Sequence, residues 1–223
     1  MTNDGRLWLE LLGNKRDFED IVISSVNEAF NAATQKAAPS IQRSLQDVVY
    51  SGIDKCPELQ DLRSGSLRGE LGLTSRNAGQ ASDNIARAVS KSVVVELGTA
   101  SAKKGIGGLD IYVQPSDFAN VLGIGGSSVT YFSKQHKRPV TLEWLDWLLK
   151  EGDRIIVGKF RFEPTGGRGR SSLGNMKKGG TWRVSPRYAG TKDNNFITRA
   201  LSTESLQNRM SNVIQTAIEE NWR

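Results

Sequence analysis

Residues 154–162 read Arg-Ile-Ile-Val-Gly-Lys-Phe-Arg-Phe, and residues 181–184 read Thr-Trp-Arg-Val. In the first stretch Ile155, Val157, Lys159 and Arg161 alternate with Ile156, Gly158, Phe160 and Phe162, the two-residue period of a strand. The second reads as the strand that returns. Between them, residues 163–181 hold Gly166, Gly167, Gly169, Gly174, Gly179 and Gly180 together with Arg168, Arg170, Lys177 and Lys178. So Gly- and Arg-rich a segment buries too little apolar surface to fold alone. It predicts a long, mobile, basic arm shaped like a β-hairpin.

Working outward, residues 159–192 carry nine basic side chains and one acidic one, Glu163. That segment nets +8 while the whole chain nets +6, so everything else sums to −2. The positive charge is concentrated in the arm and its flanks. Arg161, Arg168, Arg170, Lys177, Lys178, Arg183 and Arg187 are the candidate contact residues, and their partner must be negative: a nucleic-acid backbone or an acidic protein surface. An ordinary hairpin kept soluble by its charges is the simpler alternative. Sequence-specific readout has no support, since no helix-turn-helix, zinc or RNP-type pattern is present.

Around the arm, the apolar spacing from Asp17 to about Ala38 is helical, and Pro39 is expected to break or kink that helix. Ser40 then caps a second helix through Val49. Residues 74–84 are polar and Gly/Ser/Asn-rich and read as a loop, with a short helix following through Ile85 and Val89. Val93–Leu97 and Leu109–Val113 read as a hairpin across a Gly/Lys loop, and Val129–Phe132 as a further strand. Pro139 reads as the start of a helix running to Lys150. Asn194–Leu201 and Thr203–Trp222 read as terminal helices. The fold class is α+β: a small, mostly antiparallel sheet packed with helices, an N-terminal helical region over 1–60, and a core over 61–223 with an arm at about 163–181.

On a helix over 140–150, Leu142, Trp144, Leu145, Trp147, Leu148 and Leu149 cover more than one core face requires. The excess is covered either by the chain's own arm or by another subunit. Trp144, Trp147 and Leu148 are the candidate subunit interface.

Catalytic and metal chemistry find no footing. His136 is the single histidine and sits among Lys134, Lys137 and Arg138. Cys56 is the single cysteine, so no intramolecular disulfide forms, and it has no neighbouring base. Glu143 and Asp146 share a solvated helix face. Asp193, Asn194 and Asn195 read as a helix cap rather than a calcium loop. Gly105-Ile-Gly-Gly and Gly123-Ile-Gly-Gly lack the Lys-Ser/Thr ending of a phosphate loop. The expectation is no enzyme, no metal and no cofactor. The short apolar run Leu7–Leu12, interrupted by Glu10, is no signal peptide, and no apolar stretch is long enough to span a membrane.

Two further stretches belong together: Leu62-Arg-Ser-Gly-Ser-Leu-Arg-Gly-Glu-Leu71, a short turn into a helix, and Trp182-Arg-Val-Ser-Pro-Arg-Tyr-Ala-Gly-Thr191 with Asn194-Asn-Phe-Ile-Thr-Arg-Ala-Leu201. They resemble the tail-completion and neck proteins of tailed bacteriophages, over about residues 60–222. The N-terminal helical region, the Trp-rich 140–150 segment and the extended 163–181 loop depart from compact members. The resemblance implies a non-enzymatic subunit of a ring, commonly a homohexamer, at the head–tail junction. Such a ring is assembled in the bacterial cytoplasm and joins connector to tail or tail terminator. Its neighbours would be other neck, connector and tail proteins, with DNA passing through the lumen. The alternative is a phage-encoded protein that binds nucleic acid without sequence preference.

Overall fold

A computed structural model describes residues 15–98, 108–113, 115, 117–133 and 137–222. Helix α1 runs unbroken over Lys15–Asp54, 40 residues or about 60 Å. Pro39 therefore lies inside one helix, and the expected break does not occur. Proline removes one backbone donor, but the surrounding turns are held by burial. Ala33, Ala37, Ile41, Leu45, Val49 and Ile53 recur every four residues and are all buried. Packing of an apolar stripe outweighs local propensity.

Helix α2 (Pro57–Ser64) and the short α3 (Ser66–Glu70) follow. The Asp61 carboxylate ties them together by accepting from the Leu67 N–H at 2.7 Å. Helix α4 covers Ser75–Lys91, so residues 75–84 are helix and not loop. Its buried face is built of small residues, Ala78, Ala81, Ser82 and Ala86, alongside Ile85 and Val89. That composition looks polar in sequence, yet it lets α4 lie close on α1. Ser90 Oγ donates to the Gln46 carbonyl at 2.8 Å, and Tyr50 Oη donates to Asp83 at 2.7 Å. The true cap is Thr74, whose Oγ1 accepts from the Asn77 N–H at 3.2 Å. Thr74→Ala is expected to cost about 1 kcal/mol and to lower the melting temperature by roughly 3 °C, with Thr74→Ser close to wild type.

Strands β1 (Val94–Gly98) and β2 (Gly108–Tyr112) pair antiparallel, as the alternation predicts. A one-turn helix α5 (Ala119–Leu122) leads to β3 (Val129–Ser133), which pairs with β4 (Arg138–Leu142). Residues 138–142 are therefore strand, and the helix expected from Pro139 starts only at Trp144. Pro139 lies opposite Phe132 in a two-stranded ribbon, where a missing N–H is tolerated on an open edge. Helix α6 (Trp144–Leu149), strands β5 (Val157–Pro164) and β6 (Gly174–Trp182), α7 (Phe196–Leu201) and α8 (Glu204–Asn221) complete the chain.

The class is α+β with antiparallel pairing throughout, but the strands form three separate hairpins rather than one sheet. One apolar cluster runs from Ala37 on α1 through Trp144 and Phe196 to Ala217 on α8. Helix α8 packs antiparallel on α1: Leu206 lies against Gly52, and the Trp222 ring meets Phe30 edge-on at 6.0 Å. Beyond Phe30 the N-terminal turns of α1 lack this cover. Phe18, Ile21, Val22 and Val26 are each between 43% and 64% exposed there.

Candidate functional site

The basic hairpin is docked, not free. In the β5–β6 connection, Gly167 N–H donates to the Ser172 carbonyl at 2.9 Å, and Gly174 N–H donates to the Arg168 carbonyl at 3.1 Å. The loop presses on α3. The approach at Gly69 is close, since a Cβ there would press on Leu173 Cβ at 3.0 Å and Phe162 Cζ at 3.1 Å. Ser171 and Gly174 are buried, and Arg170 Nε donates to the Gly72 carbonyl at 2.8 Å. The expectation of a mobile arm is corrected. Phe162, Leu173 and Met176 supply the apolar surface that glycine counting overlooks.

The seven candidate cations do not converge. Arg161 and Lys177 share Glu163 on one face of the hairpin, with Arg161 Nη2 3.1 Å from the carboxylate. Hydrogen bonds from Lys177 first and Arg161 second hold the half-buried Glu163 carboxyl below the usual range. Arg183 pairs with Asp153 at 3.0 Å near the hairpin base. Arg187 lies over the Tyr188 ring at 5.2 Å. Arg168 and Lys178 are exposed. What results is a positively charged ribbon about 25 Å long, in which Arg161, Lys177 and Arg183 are matched by carboxylates of the same chain.

The three candidate interface residues divide differently. Trp144 is 0% and Leu148 1% exposed, both inside this chain's own core. Trp144 Nε1 donates to the Gly126 carbonyl at 2.9 Å. Neither has surface left to offer a partner. The apolar excess inferred for a long helix resolves because α6 has only six residues and buries Leu145 and Leu149 as well. Trp147 alone keeps surface. It meets Trp182 edge-on, with ring centroids 5.8 Å apart.

That indole pair forms one wall of a cleft of ≈ 530 Å³ between α3 and the hairpin. Phe160, Phe162 and Met176 also line it, and its charged residues are the acid Glu70 and the cation Arg170. Glu70 Oε2 accepts from Trp182 Nε1 at 3.3 Å. Burial pushes the Glu70 carboxyl pKa up, the Trp182 hydrogen bond pulls it down, and the charge of Asp61 adds to the rise. Among the described residues no Lys or Arg forms an ion pair with it. The sequence flagged Trp182 and the turn that carries Glu70, but nothing in it placed the two together.

Other chemistry is accounted for within the fold. Cys56 is buried, and burial raises its thiol pKa to about 12, so it is protonated at neutral pH and inert as a nucleophile. Glu58, only 7% exposed, is matched by Arg199 at 2.6 Å, which joins α2 to α7. Asp146 pairs with Lys150 at 3.1 Å. No group of three or more metal-ligating side chains occurs among the described residues. His136, residues 105–107 of the Gly105-Ile-Gly-Gly run and the run Leu7–Leu12 lie outside the described residues. No helix among the described residues is long and apolar enough to cross a membrane. No protein family, curated protein or solved structure matches the chain.

Proposed function

We propose that this protein is a structural subunit that works by assembling, and that its place is the neck of a tailed phage. It forms a ring, sixfold in the simplest case, that joins connector to tail and lets DNA pass. The observation that carries the reading is the uncovered apolar stripe Phe18, Ile21, Val22 and Val26 on the part of α1 that extends past Trp222. Several large apolar side chains in one exposed stripe mark a surface that another protein covers. The basic hairpin adds a second contact surface of opposite character, facing protein or DNA in the lumen. The sequence resemblance supplies the setting, and the inert Cys56 agrees with a mechanical role.

The test begins with the mass of the purified protein in solution. A species of six times 24.5 kDa is the expected result for a hexamer. Quantitative mass spectrometry of particles then gives the copy number, about six to twelve for a ring or a stacked pair of rings. A chain that stays monomeric, is absent from particles and loses DNA affinity steeply with salt would instead be the nucleic-acid-binding alternative.

A further inference from the structure

Strands β1 and β2 set two acids against each other. Glu96 and Asp110 are directly opposite in the pairing register, and both are exposed. Side chains so placed stand about 5 Å apart at Cβ, and like charges there destabilise the pairing. Among the described residues no Lys or Arg forms an ion pair with either acid. Lys103 and Lys104, the other charges of this hairpin, belong to its connection, outside the described residues. Val94 and Tyr112, the next opposed pair on the same face, are 44% and 55% exposed. Val95 and Ile111, on the opposite face, pack against the core. The outer face of the ribbon is therefore unpartnered, with an apolar pair beside an acidic one.

The same chain carries the counterpart in positive charge. Arg161 and Lys177 are also directly opposite each other, and their side chains are 62% and 55% exposed. They stand on the outer face of β5–β6, because their neighbours Phe160, Phe162 and Met176 turn the other way into the cleft. Glu163 is the one carboxylate they share, so one positive charge is left over. Both like-charged pairs are cross-strand neighbours in antiparallel ribbons and so match in spacing to within about 1 Å. The two ribbons share no strand pairing; β1 lies against α1, and the β5–β6 loop lies against α3. Within one copy the acidic pair and the basic pair form no ion pair with each other.

We infer that the outer face of β1–β2 docks on the outer face of β5–β6 of a second copy of this chain, setting Glu96 and Asp110 against Arg161 and Lys177. Ribbons stacked face to face lie about 10 Å apart. The two long cations span that gap, with their alkyl stems laid on Val94 and Tyr112. Docking relieves like-charge repulsion in both ribbons at once, which a partner bearing a single charge would not do. Nucleic acid is disfavoured on the β1–β2 face because the two acids repel it. One copy offers both an acidic and a basic ribbon face, so the contact repeats head to tail, the kind that closes into a ring. The inference rests on the self-assembly reading above and identifies one contact within it.

Neutral substitutions isolate the contact. One variant carries Glu96→Gln and Asp110→Asn, the other Arg161→Gln and Lys177→Gln. The combined variant loses two charges of each sign and so keeps the net charge of +6. The measurement is the concentration of half-assembly, by light scattering across a dilution series of the full chain at about 0.05 M salt, where screening is weak. The melting temperature is recorded beside it. The acid-pair variant is expected to melt no lower than wild type, because it removes a repulsion. It decides the question by itself where the basic-pair variant melts lower. Each variant should raise the half-assembly concentration about tenfold, the loss of two surface-grade ion pairs. The combined variant should be no worse than either alone, because both remove the same contact. A rise of less than about threefold in the acid-pair variant, or losses that multiply in the combined variant, would overturn the ribbon contact while leaving self-assembly standing. A wild-type chain that stays monomeric at every concentration would overturn both.

Discussion

Trp144→Ala is expected to cost about 3–5 kcal/mol of folding stability and to lower the melting temperature by on the order of 10 °C. The indole is 0% exposed, so the substitution leaves a cavity in the shared core rather than a vacancy on the surface. It also strands a polar group. Trp144 Nε1 satisfies the Gly126 carbonyl at 2.9 Å, in the loop where Leu145 N–H meets the Ser127 carbonyl at 3.2 Å. Trp144→Phe separates the two contributions: it fills most of the volume and gives up the donor, for an expected loss of about 1–2 kcal/mol. Chemical denaturation of the monomer at low concentration is the decisive measurement. A stability loss that appeared only at assembling concentrations would place Trp144 at a subunit interface, against the packing described above.

That contrast shows how far the sequence could be read. The α+β class, the β1–β2 hairpin, strand β5 and both terminal helices follow from alternation and helical spacing, because each buries one face and writes its period into the chain. The returning strand β6 covers Gly174–Trp182 and not 181–184, since its glycines and lysines show no apolar alternation to read. Three further elements fail for nameable reasons. Pro39 signals a break, yet the four-residue stripe from Ala33 to Ile53 buries enough to carry α1 through it. The start of α4 is written in Ala78, Ala81 and Ser82, whose small size is what α1 needs and whose hydropathy hides the periodicity. Pro139 is a sound helix-start residue and an equally sound edge-strand residue, and only pairing with Phe132 chooses between them. The site was less legible. Counting charge marks the basic ribbon but could not see that Glu163 and Asp153 engage three of its cations. The cleft joins Glu70 to Trp182, 112 positions apart, and no local pattern spans that separation.

The residue that holds this arrangement together is Asn195, and Asn195→Ala is expected to cost about 3 kcal/mol, the sum of a lost cap and buried carbonyls left short of a donor. Its Oδ1 accepts from the N–H groups of Ile197 at 3.1 Å and Thr198 at 3.2 Å, opening α7. Thr198 Oγ1 accepts from the Asn195 N–H at 2.9 Å, which completes a capping box. The amide nitrogen faces the other way. It donates to the carbonyls of Thr191 at 3.0 Å, Lys192 at 3.3 Å and Leu149 at 3.4 Å, the last at the end of α6. There is no slack beside it: a Cβ on Gly190 would lie 2.2 Å from the Leu148 carbonyl and 2.6 Å from Asn195 Cβ. Asn195→Asp therefore gives the sharper test. Aspartate caps helices as well as asparagine does in general, but here it would aim a buried carboxylate at three carbonyl oxygens. It should be at least as damaging as alanine, and less so as the pH falls and the carboxyl takes up a proton. A neutral Asn195→Asp would reduce the residue to an ordinary cap. The expected loss would instead show that one side chain fixes α6 to α7, and with it the position of Trp147 over the Glu70 cleft.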